Sequence, residues 1–434
     1  METLKVRDAG DVEQAVRSAI ASDQPLEIVG QGSKRLIGQP MATNAVLDLS
    51  ALNAVVAYEP NELIITVAAG APFADVQSLI DSKNQQFAFE PVDTAALLGT
   101  PPLATIGGMI GAGLAGPRRI KAGGIRDHLL GAHAVSGFGD SFKTGGKVVK
   151  NVTGYDLCKL LAGSWGTLAV MTEVTLKVMP RPESQRTLVL RGLDDQTANR
   201  AMTAALGSPF DVTAAAHVPA SVFRPDTGGL DADGLGALGA GGRALTLLRL
   251  EGILASVVHR ATALAKSLAA FGPVDLLVDE ASASVWSSIR DVRPFAAQGA
   301  LGAWPVWRIV CPPAAGGALG EQLARDSGGD VIYDWGGGLI WAALPPKADA
   351  HAALVRQRAA AAGGHAMLVR AADEVRRQVD VFQPQPAGLA ALSERVRASF
   401  DPKQILNRGR MTRGAGVAVQ KSASFSPRGP NADF

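Results

Sequence analysis

The sequence predicts an α+β protein with two main domains, and three observations support this prediction. Strand-like and helical segments alternate along most of the chain. Pro180 and Pro182 follow a long apolar strand and precede a change of pattern, so we place a domain boundary at residue 180. Glycine accounts for 49 of the 434 residues and is concentrated in clusters, several of which follow predicted strands. Such clusters are typical of backbone turns that approach a ligand closely.

The composition argues against several classes of function. The net charge is +2 without a long basic run, which disfavours nucleic acid as the main partner. No window reaches the ~18 apolar residues of a transmembrane helix, and the charged N-terminal segment is unlike a signal peptide, so we expect a cytoplasmic protein. Cys158 and Cys311 lie far apart, which predicts neither a disulfide framework nor an iron–sulfur or zinc site.

Short strands and helices are predicted in turn through the first domain, residues 1–180. They are a helix capped by Asp11, strands over 26–29, 45–49, 55–58 and 63–68, a helix opened by Pro72, strands over 129–135 and 147–149, a short helix over 155–162 and a long strand over 168–178. The segment over 101–124 is too rich in glycine and small residues for a long helix.

The second domain, residues 181–400, is predicted to be a compact α+β unit. Its strands are expected over 245–250, 274–278, 306–310 and 339–343, and its helices over 253–271, 281–289, 314–324, 350–362 and 387–400. A glycine-rich surface loop is expected over 227–242. Residues 401–412 form a separate C-terminal segment, and the polar residues 413–434 are predicted to be a disordered tail.

Three glycine-containing segments of the first domain are candidates for binding one extended ligand. Gly30, Gln31, Gly32, Ser33 and Lys34 follow an apolar strand and can direct several N–H groups at an anion. An ordinary strand-ending turn explains this segment equally well on its own. Because two further clusters follow within 140 residues, a shared ligand with a pyrophosphate centre is the better explanation.

The second cluster runs from Thr105 to Gly116 and contains Gly111, Gly113 and Gly116 at dinucleotide-fingerprint spacing. We reject a Rossmann interpretation because Pro117 follows directly and no strand–helix–strand unit surrounds the motif. The segment instead predicts a second anion-binding loop against which a bulky ligand can lie.

The third cluster combines a predicted helix start near Thr153 with the sequence Gly163-Ser164-Trp165-Gly166-Thr167-Leu168. A helix start offers free N–H groups to a phosphate or a flavin oxygen. A capped helix followed by a tight turn is the simpler alternative.

Together these segments resemble the FAD domain of the vanillyl-alcohol-oxidase or PCMH-type flavoproteins. The shared motifs, in order, are the first glycine loop, Thr105-Ile106-Gly107-Gly108, Gly154-Tyr155-Asp156-Leu157, the turn over 163–168, and Thr172-Glu173-Val174-Thr175-Leu176-Lys177. A narrower resemblance, over roughly residues 1–412, is to the family of E subunits of bacterial glycolate oxidase. Its marks include Gly113-Leu114-Ala115-Gly116-Pro117-Arg118-Arg119 and a closing motif that ends in Asn407-Arg408-Gly409-Arg410-Met411, where Arg408 replaces the usual proline.

The resemblance implies a PCMH-type FAD-binding domain of two α/β subdomains, followed by a ferredoxin-like α+β cap. It also implies non-covalent FAD and partners in the same oxidase, namely a catalytic FAD subunit and an iron–sulfur subunit. Peripheral contact with the inner face of the membrane would then come through these partners. The residues implied in cofactor binding are Gly30, Gln31, Gly32, Ser33, Lys34, Thr105, Ile106, Gly107, Gly108, Gly111, Ala112, Gly113, Arg126, Asp127, Asn151, Gly154, Tyr155 and Val174.

The sequence identifies no catalytic residue. Its six histidines are scattered, and the histidine-rich metal motif of related catalytic subunits is absent from the sequence, so we predict no metal site. Arg118 and Arg119 are candidates for contacting a carboxylate or a partner subunit, although a solvated pair explains them equally well. The leading hypothesis is therefore an FAD subunit of a glycolate oxidase that converts glycolate and similar 2-hydroxy acids to 2-oxo acids.

Two alternatives remain open. The first is a self-sufficient FAD-dependent 2-hydroxy-acid dehydrogenase, which needs a base and a carboxylate clamp from Arg290, Arg293, Arg308 and His365. The second is a non-catalytic scaffold subunit with a vestigial flavin site.

Overall fold

A computed structural model describes residues 2–43, 45–146, 155–223 and 234–413. Within these ranges the strands are β1 Glu2–Lys5, β2 Leu26–Val29, β3 Ala45–Asp48, β4 Val55–Glu59, β5 Ile64–Ala68, β6 Gln85–Gln86, β7 Leu129–Ser136, β8 Ser141–Gly145, β9 Ala169–Lys177, β10 Met179–Pro180, β11 Ser184–Arg191, β12 Ala214–Val218, β13 Leu245–Gly252, β14 Val274–Val278, β15 Val306–Val310, β16 Asp330–Asp334, β17 Leu339–Ala343 and β18 His365–Arg370. The α-helices are α1 Ala9–Ser22, α2 Phe73–Asp81, α3 Ala95–Leu98, α4 Ile106–Ala112, α5 Arg119–Ala122, α6 Ile125–His128, α7 Cys158–Leu161, α8 Asp195–Leu206, α9 Leu235–Gly239, α10 Leu254–Ser267, α11 Asp279–Arg290, α12 Gly316–Ser327, α13 Ala352–Ala361, α14 Asp373–Gln378 and α15 Ala387–Phe400.

The N-terminal part of the first domain is a small parallel sheet with the strand order β1-β3-β2. Helix α1 connects β1 to β2 and buries Val12, Val16 and Ala19. Its N-cap is Asp8, whose carboxylate accepts the N–H of Asp11 at 2.9 Å. The predicted cap at Asp11 is therefore wrong by one turn, because Asp11 lies inside the helix and pairs with Arg7.

The second part of this domain is built on an antiparallel sheet with the order β4-β5-β9-β7-β8. The long predicted strand is β9, which lies at the centre of this sheet and buries both of its faces. Two subdomains, each combining helices with a sheet, are thus present as predicted. The predicted strand over 147–149 and the helix start near Thr153 lie outside the described residues.

The cap contains two units with the same topology. The first is β11-α8-β12-β13-α10-β14 with the sheet order β14-β11-β13-β12, and the second is β15-α12-β16-β17-α13-β18 with the order β16-β17-β15-β18. Each unit is ferredoxin-like, and β12 pairs with β16 to join them into one sheet of eight described strands. The predicted ferredoxin-like cap is confirmed, and it is duplicated.

The cap sheet has one face against its own helices and the other against the first domain. Trp307, Ile309 and Tyr333 belong to the helix side, whereas Val306, Ile332 and Trp341 belong to a core shared with the first domain. The alternation follows from the two-residue period of a strand. The second face therefore packs against the first domain and also against α11, whose Val285, Trp286 and Ile289 belong to the same cluster.

The segment over 401–412, called here the closing segment, returns to the first domain. The buried Asp401 carboxylate accepts the N–H groups of Ile405 and Leu406 at 2.9 and 2.8 Å. Leu26 of β2 donates to the carbonyl of Ile405 and accepts from the N–H of Asn407. The local turn is formed although Arg408 replaces proline, since its guanidinium donates to the carbonyls of Gln404 and Lys403 at 2.8 Å. The residues 414–434 of the predicted tail lie outside the described residues, and the domain boundaries stay predictions.

Candidate functional site

A cleft with a cavity volume of about 100 Å³ lies between the two sheets of the first domain. Its floor is formed where β2, β3 and β5 end, and its walls come from the first glycine loop, α4, the turn at 165–166, β9 and the closing segment. The lining residues are Ile28, Val29, Gly30, Gln31, Gly32, Ser33, Lys34, Arg35, Leu49, Ala69, Thr105, Gly107, Gly108, Gly111, Ala112, Trp165, Gly166, Ala169, Met171, Asn407 and Arg410.

The first glycine loop, residues 30–35, carries free donors. Gly32 has a φ of 74°, which an L-residue adopts only with strain. Within the described part of the chain, the backbone N–H groups of residues 31–34 have no hydrogen-bond acceptor. Successive unpaired N–H groups in a turn form an anion-binding concavity. This geometry supports the sequence-based interpretation of the loop.

The second cluster differs from its prediction because it begins a helix. Thr105 is the N-cap of α4, and its Oγ1 accepts the N–H of Gly108 at 3.3 Å. The N–H groups of Ile106 and Gly107 donate to the carbonyls of Ala71 and Ala69 at 3.0 and 2.7 Å. The N–H groups of residues 106–108 are therefore already hydrogen-bonded within the first domain, and the anion-binding role of this segment stays a prediction.

Helix α4 contributes glycines that let neighbouring segments approach its backbone closely. A Cβ added to Gly107 would lie 2.9 Å from Ala69, and one added to Gly30 would lie 2.3 Å from the Thr105 hydroxyl. Glycine at position 30 thus lets the first loop contact Thr105, and glycine at position 107 lets the start of α4 contact the residue that follows β5. Gly108 and Gly111 present their Cα atoms to the cleft, where side chains would occupy ligand space.

The turn at 163–166 closes the other end of α4, and the closing segment fastens it to β2. The N–H groups of Gly163 and Trp165 donate to the carbonyls of Ile110 and Gly111 at 3.0 and 2.9 Å. Asn407 donates from Nδ2 to the carbonyl of Trp165 at 2.7 Å and accepts the N–H of Ile28 at 2.8 Å. One side chain therefore holds two walls of the cleft together.

Positive charge surrounds the first loop. The Arg410 guanidinium is buried, donates to the carbonyl of Lys34 at 2.8 Å and lies 4.0 Å from the Glu27 carboxylate. Burial lowers the pKa of Arg410 to about 10, and burial also lowers the pKa of Lys34. Arg35 pairs with Glu27, whose hydrogen bond raises the pKa of the arginine. Desolvated cations of this kind favour a bound dianion such as a pyrophosphate.

The structure brings together ten of the residues predicted to bind the cofactor. Gly30 to Lys34, Thr105, Gly107, Gly108, Gly111 and Ala112 all line the cleft. The remaining predicted residues that the structure describes do not line it. Ile106 is buried in the core, Val174 lies in the central strand β9, Arg126 and Asp127 are exposed on α6, Tyr155 is exposed, and Gly113 ends α4. Asn151 and Gly154 lie outside the described residues.

The sequence predicted no cofactor contact at Trp165, Gly166, Asn407 or Arg410, all of which line the cleft. The signal was present, since the turn at 163–168 and the motif ending at Met411 were both recognised as family marks. What the sequence does not show is that these distant segments meet.

The histidines nearest the glycine segments have structural contacts. His128 is buried, packs on Phe89 and hydrogen-bonds the carbonyl of Ala122 at 2.9 Å, while burial lowers its pKa. His133 lies near Glu173 at 3.9 Å.

Across the described ranges, no group of three His, Cys, Asp or Glu side chains is placed to hold a metal ion. In the same ranges, no helix combines the length and apolarity needed to cross a bilayer.

The free N–H groups of the first loop, the close backbone contacts at glycine and the buried cations all fit FAD. Comparison with known proteins agrees with this assignment. A family of sequences described as "FAD binding domain" matches residues 3–145. The glycolate oxidase subunit GlcE of Escherichia coli K12 is 30% identical over 400 residues, 92% of this chain and 95% of the relative. The chain belongs to the GlcE family of glycolate oxidase subunits. It is therefore an FAD-dependent oxidoreductase.

Two further comparisons define how far the similarity extends. The glycolate oxidase subunit GlcD of Bacillus subtilis 168 is 33% identical over 206 residues, 47% of this chain and 41% of that relative. Among solved structures, p-cresol methylhydroxylase superposes with a TM-score of 0.67 at 13% identity and covers 94% of this chain and 88% of that one. The second likeness confirms the PCMH-type fold that the motifs predicted.

Proposed function

We propose that this chain is the FAD-binding subunit of a glycolate oxidase that oxidises glycolate and similar 2-hydroxy acids to 2-oxo acids. In this proposal its electrons pass to an iron–sulfur subunit, and a second, catalytic FAD subunit completes the assembly. The observation that carries the proposal is the cleft. There the free backbone N–H groups of residues 31–34 lie close to two buried cations, the side chains of Lys34 and Arg410. The likeness to GlcE over nearly the whole chain supports the choice of substrate class.

The residues of the cleft have separable tasks in the proposal. The first loop and Arg410 hold the pyrophosphate, and Thr105, Gly107 and Gly108 shape the wall along which the cofactor lies. Trp165 and Asn407 fix the opposite wall. When bound, FAD supplies the two-electron acceptor that oxidation of an alcohol to a ketone or an aldehyde requires.

The proposal also covers the implied residues that the cleft does not include. The residues that stay proposed cofactor contacts are Ile106, Gly113, Arg126, Asp127, Asn151, Gly154, Tyr155 and Val174. The substitution Tyr155→Ala tests one of these proposed contacts with the least risk to folding, because Tyr155 is 91% exposed. Unchanged FAD affinity in Tyr155→Ala would remove it from the site.

The decisive experiment is purification of the full chain, alone and together with its GlcD-type and iron–sulfur partners. We expect the visible absorbance of non-covalent oxidised flavin in the chain alone. We also expect rapid glycolate-dependent reduction of a dye acceptor only in the assembled complex. A folded but colourless chain would overturn the proposal in favour of the scaffold interpretation, and full turnover by the chain alone would overturn the requirement for partners.

A further inference from the structure

The indole of Trp335 occupies the junction between the first domain and the cap. It follows β16 directly, is 4% exposed, and donates from Nε1 to the carbonyl of Gly116 at 3.0 Å. Gly116 ends the glycine segment whose earlier member Gly111 lines the FAD cleft. Trp335 and the cleft residue Trp165 also belong to the same apolar cluster. The indole is therefore anchored to the same segment that forms a wall of the cofactor site.

Two arginines, one from each domain, lie over this ring. The guanidinium carbon of Arg119 on α5 is 4.4 Å from the ring centroid, and that of Arg308 on β15 is 5.0 Å from it. The negative face of an aromatic ring attracts such cations and holds planar guanidinium groups in place.

Neither guanidinium has a carboxylate or any other hydrogen-bond partner among the residues that the structure describes. The arginines around them differ in this respect. Arg118 donates to both oxygens of Glu251, Arg249 donates to both oxygens of Glu90, and Arg290 donates to both oxygens of Asp291. The junction thus pairs three arginines with hydrogen-bonded carboxylates, whereas the two at Trp335 have no hydrogen-bonded carboxylate among the described residues and the buried Asp334 acts on Arg308 only through its charge.

The surroundings of Arg308 favour an anion. The residue lies on the face of the cap sheet that meets the first domain, beside Trp341 and Met367 on the neighbouring strands. Burial lowers the pKa of Arg308 to about 10, the charge of Arg119 acts in the same direction, and the charge of Asp334 opposes them without cancelling the shift. Arg119 itself is exposed and Arg308 is half-buried, so a small solute would approach the pair from the side of Arg119. A partly desolvated cation pair gains free energy when a carboxylate replaces the lost hydration.

We propose that Arg119 and Arg308, held over the Trp335 indole, form a carboxylate-binding site between the two domains. It would take the carboxylate group of a small 2-hydroxy or 2-oxo acid, and in this form the inference rests on the proposed function. Each guanidinium presents paired N–H donors that match the two oxygens of a carboxylate. Because the site takes one arginine from each domain, its occupancy also bridges the cap and the FAD domain.

The test measures binding of oxalate, a dicarboxylate without an oxidisable C–H bond, to the full chain by titration calorimetry. Arg308→Gln and Arg119→Gln should each weaken oxalate binding by about 10- to 100-fold, the loss expected for a charge-assisted pair. Arg308→Lys retains the charge but not the planar pair of donors, so an intermediate loss is expected. Arg325→Gln on α12, an exposed arginine paired only with Glu321, is the matched control and should bind oxalate as the parent chain does.

Flavin absorbance and thermal unfolding of each variant separate binding from folding. Unchanged oxalate affinity in both glutamine variants would overturn the inference and leave the arginines as a purely structural contact between domains. That result would leave the proposed function intact if the chain still carried flavin. A colourless parent chain that binds oxalate through these arginines would instead refute the proposed function and retain the carboxylate site.

Discussion

The buried ion-pair network of Glu90, Arg118, Arg249 and Glu251 should contribute a measurable part of the stability of the domain junction. Glu90 in the first domain accepts two hydrogen bonds from the cap residue Arg249, at 2.8 and 2.9 Å, and the backbone N–H of Arg118 at 2.6 Å. Although burial opposes ionisation, Arg249 and Arg118 together lower the pKa of Glu90 from 4.5 to about 2. The substitution Glu90→Gln keeps the shape of the side chain and removes its charge.

The expected cost follows from linkage. A carboxylate whose pKa is about 2 in the folded state and near 4.5 when unfolded contributes about 3 kcal/mol of stability at neutral pH. This agrees with the ~3–5 kcal/mol lost when one partner of a buried ion pair is removed. Because the folded-state pKa is lowered, the contribution is present above pH 4.5 and is lost as the pH falls towards 2.

Denaturant unfolding of both proteins at pH 7 and pH 3, followed by circular dichroism, measures this difference. Glu321→Gln removes an exposed carboxylate that pairs with Arg325 on the same helix, and should cost less than about 1 kcal/mol. If Glu90→Gln is no more destabilising than this control, or if the difference between Glu90→Gln and the parent chain does not shrink at pH 3, the reasoning fails.

Three other substitutions test the cleft and the junction. Gly30→Ala places a Cβ 2.3 Å from the Thr105 hydroxyl and should lower both thermal stability and FAD content, measured on the same preparation. Asn407→Ala removes the hydrogen bonds to Trp165 and Ile28 and should weaken FAD binding by about tenfold, measured by fluorescence on reconstitution of the apoprotein. Burial raises the pKa of Asp334 to about 7, so the parent chain should lose stability as the pH rises from about 4 through 7, whereas Asp334→Asn should lack this loss in a pH series of melting temperatures.

Hydrophobic periodicity predicted many regular elements of the chain, although the amphipathic helix α8 was missed. Helix α15 was predicted with its observed bounds, and β9 and α10 differ from prediction only at their ends. Strand β12 was missed because Ala214–Val218 has the sequence Ala-Ala-Ala-His-Val and is buried on both faces. Such a strand shows no alternation and has little β-branched content, so neither period nor composition reveals it.

The duplication of the cap could not be predicted from the sequence, for a related reason. The strands β11, β12, β16 and β18 were not predicted, and without them the two units could not be aligned. The pairing of β12 with β16 that unites the units is a long-range contact, which local sequence does not encode. Sequence motifs marked the first loop and the segment that forms α4, but they predicted neither the helix nor the hydrogen bonds from the amides of Ile106 and Gly107 to the carbonyls of Ala71 and Ala69.

The internal hydrogen bonds at the start of α4 change which residues must neutralise the negative charge of the cofactor. Because the amides at the start of α4 are satisfied internally, the proposed binding mode assigns the charge of the pyrophosphate to the first loop and to Arg410 of the closing segment. Arg410 hydrogen-bonds Lys34 of the first loop, and Asn407 hydrogen-bonds Ile28 of β2. In both cases the two partners lie more than 370 residues apart in the sequence. Cofactor binding and the docking of residues 401–412 should therefore be thermodynamically coupled.

Hydrogen exchange tests this coupling. Addition of FAD to the apoprotein should slow exchange at the amides of Ile28 and Asn407, whose acceptors join β2 to the closing segment. The amide of Leu188 in β11, on the far side of the cap, serves as the control and should be unaffected. If FAD protects the first loop but leaves residues 401–412 exchanging at the apoprotein rate, then the closing segment is a fixed wall, and the cofactor gains nothing from ordering it.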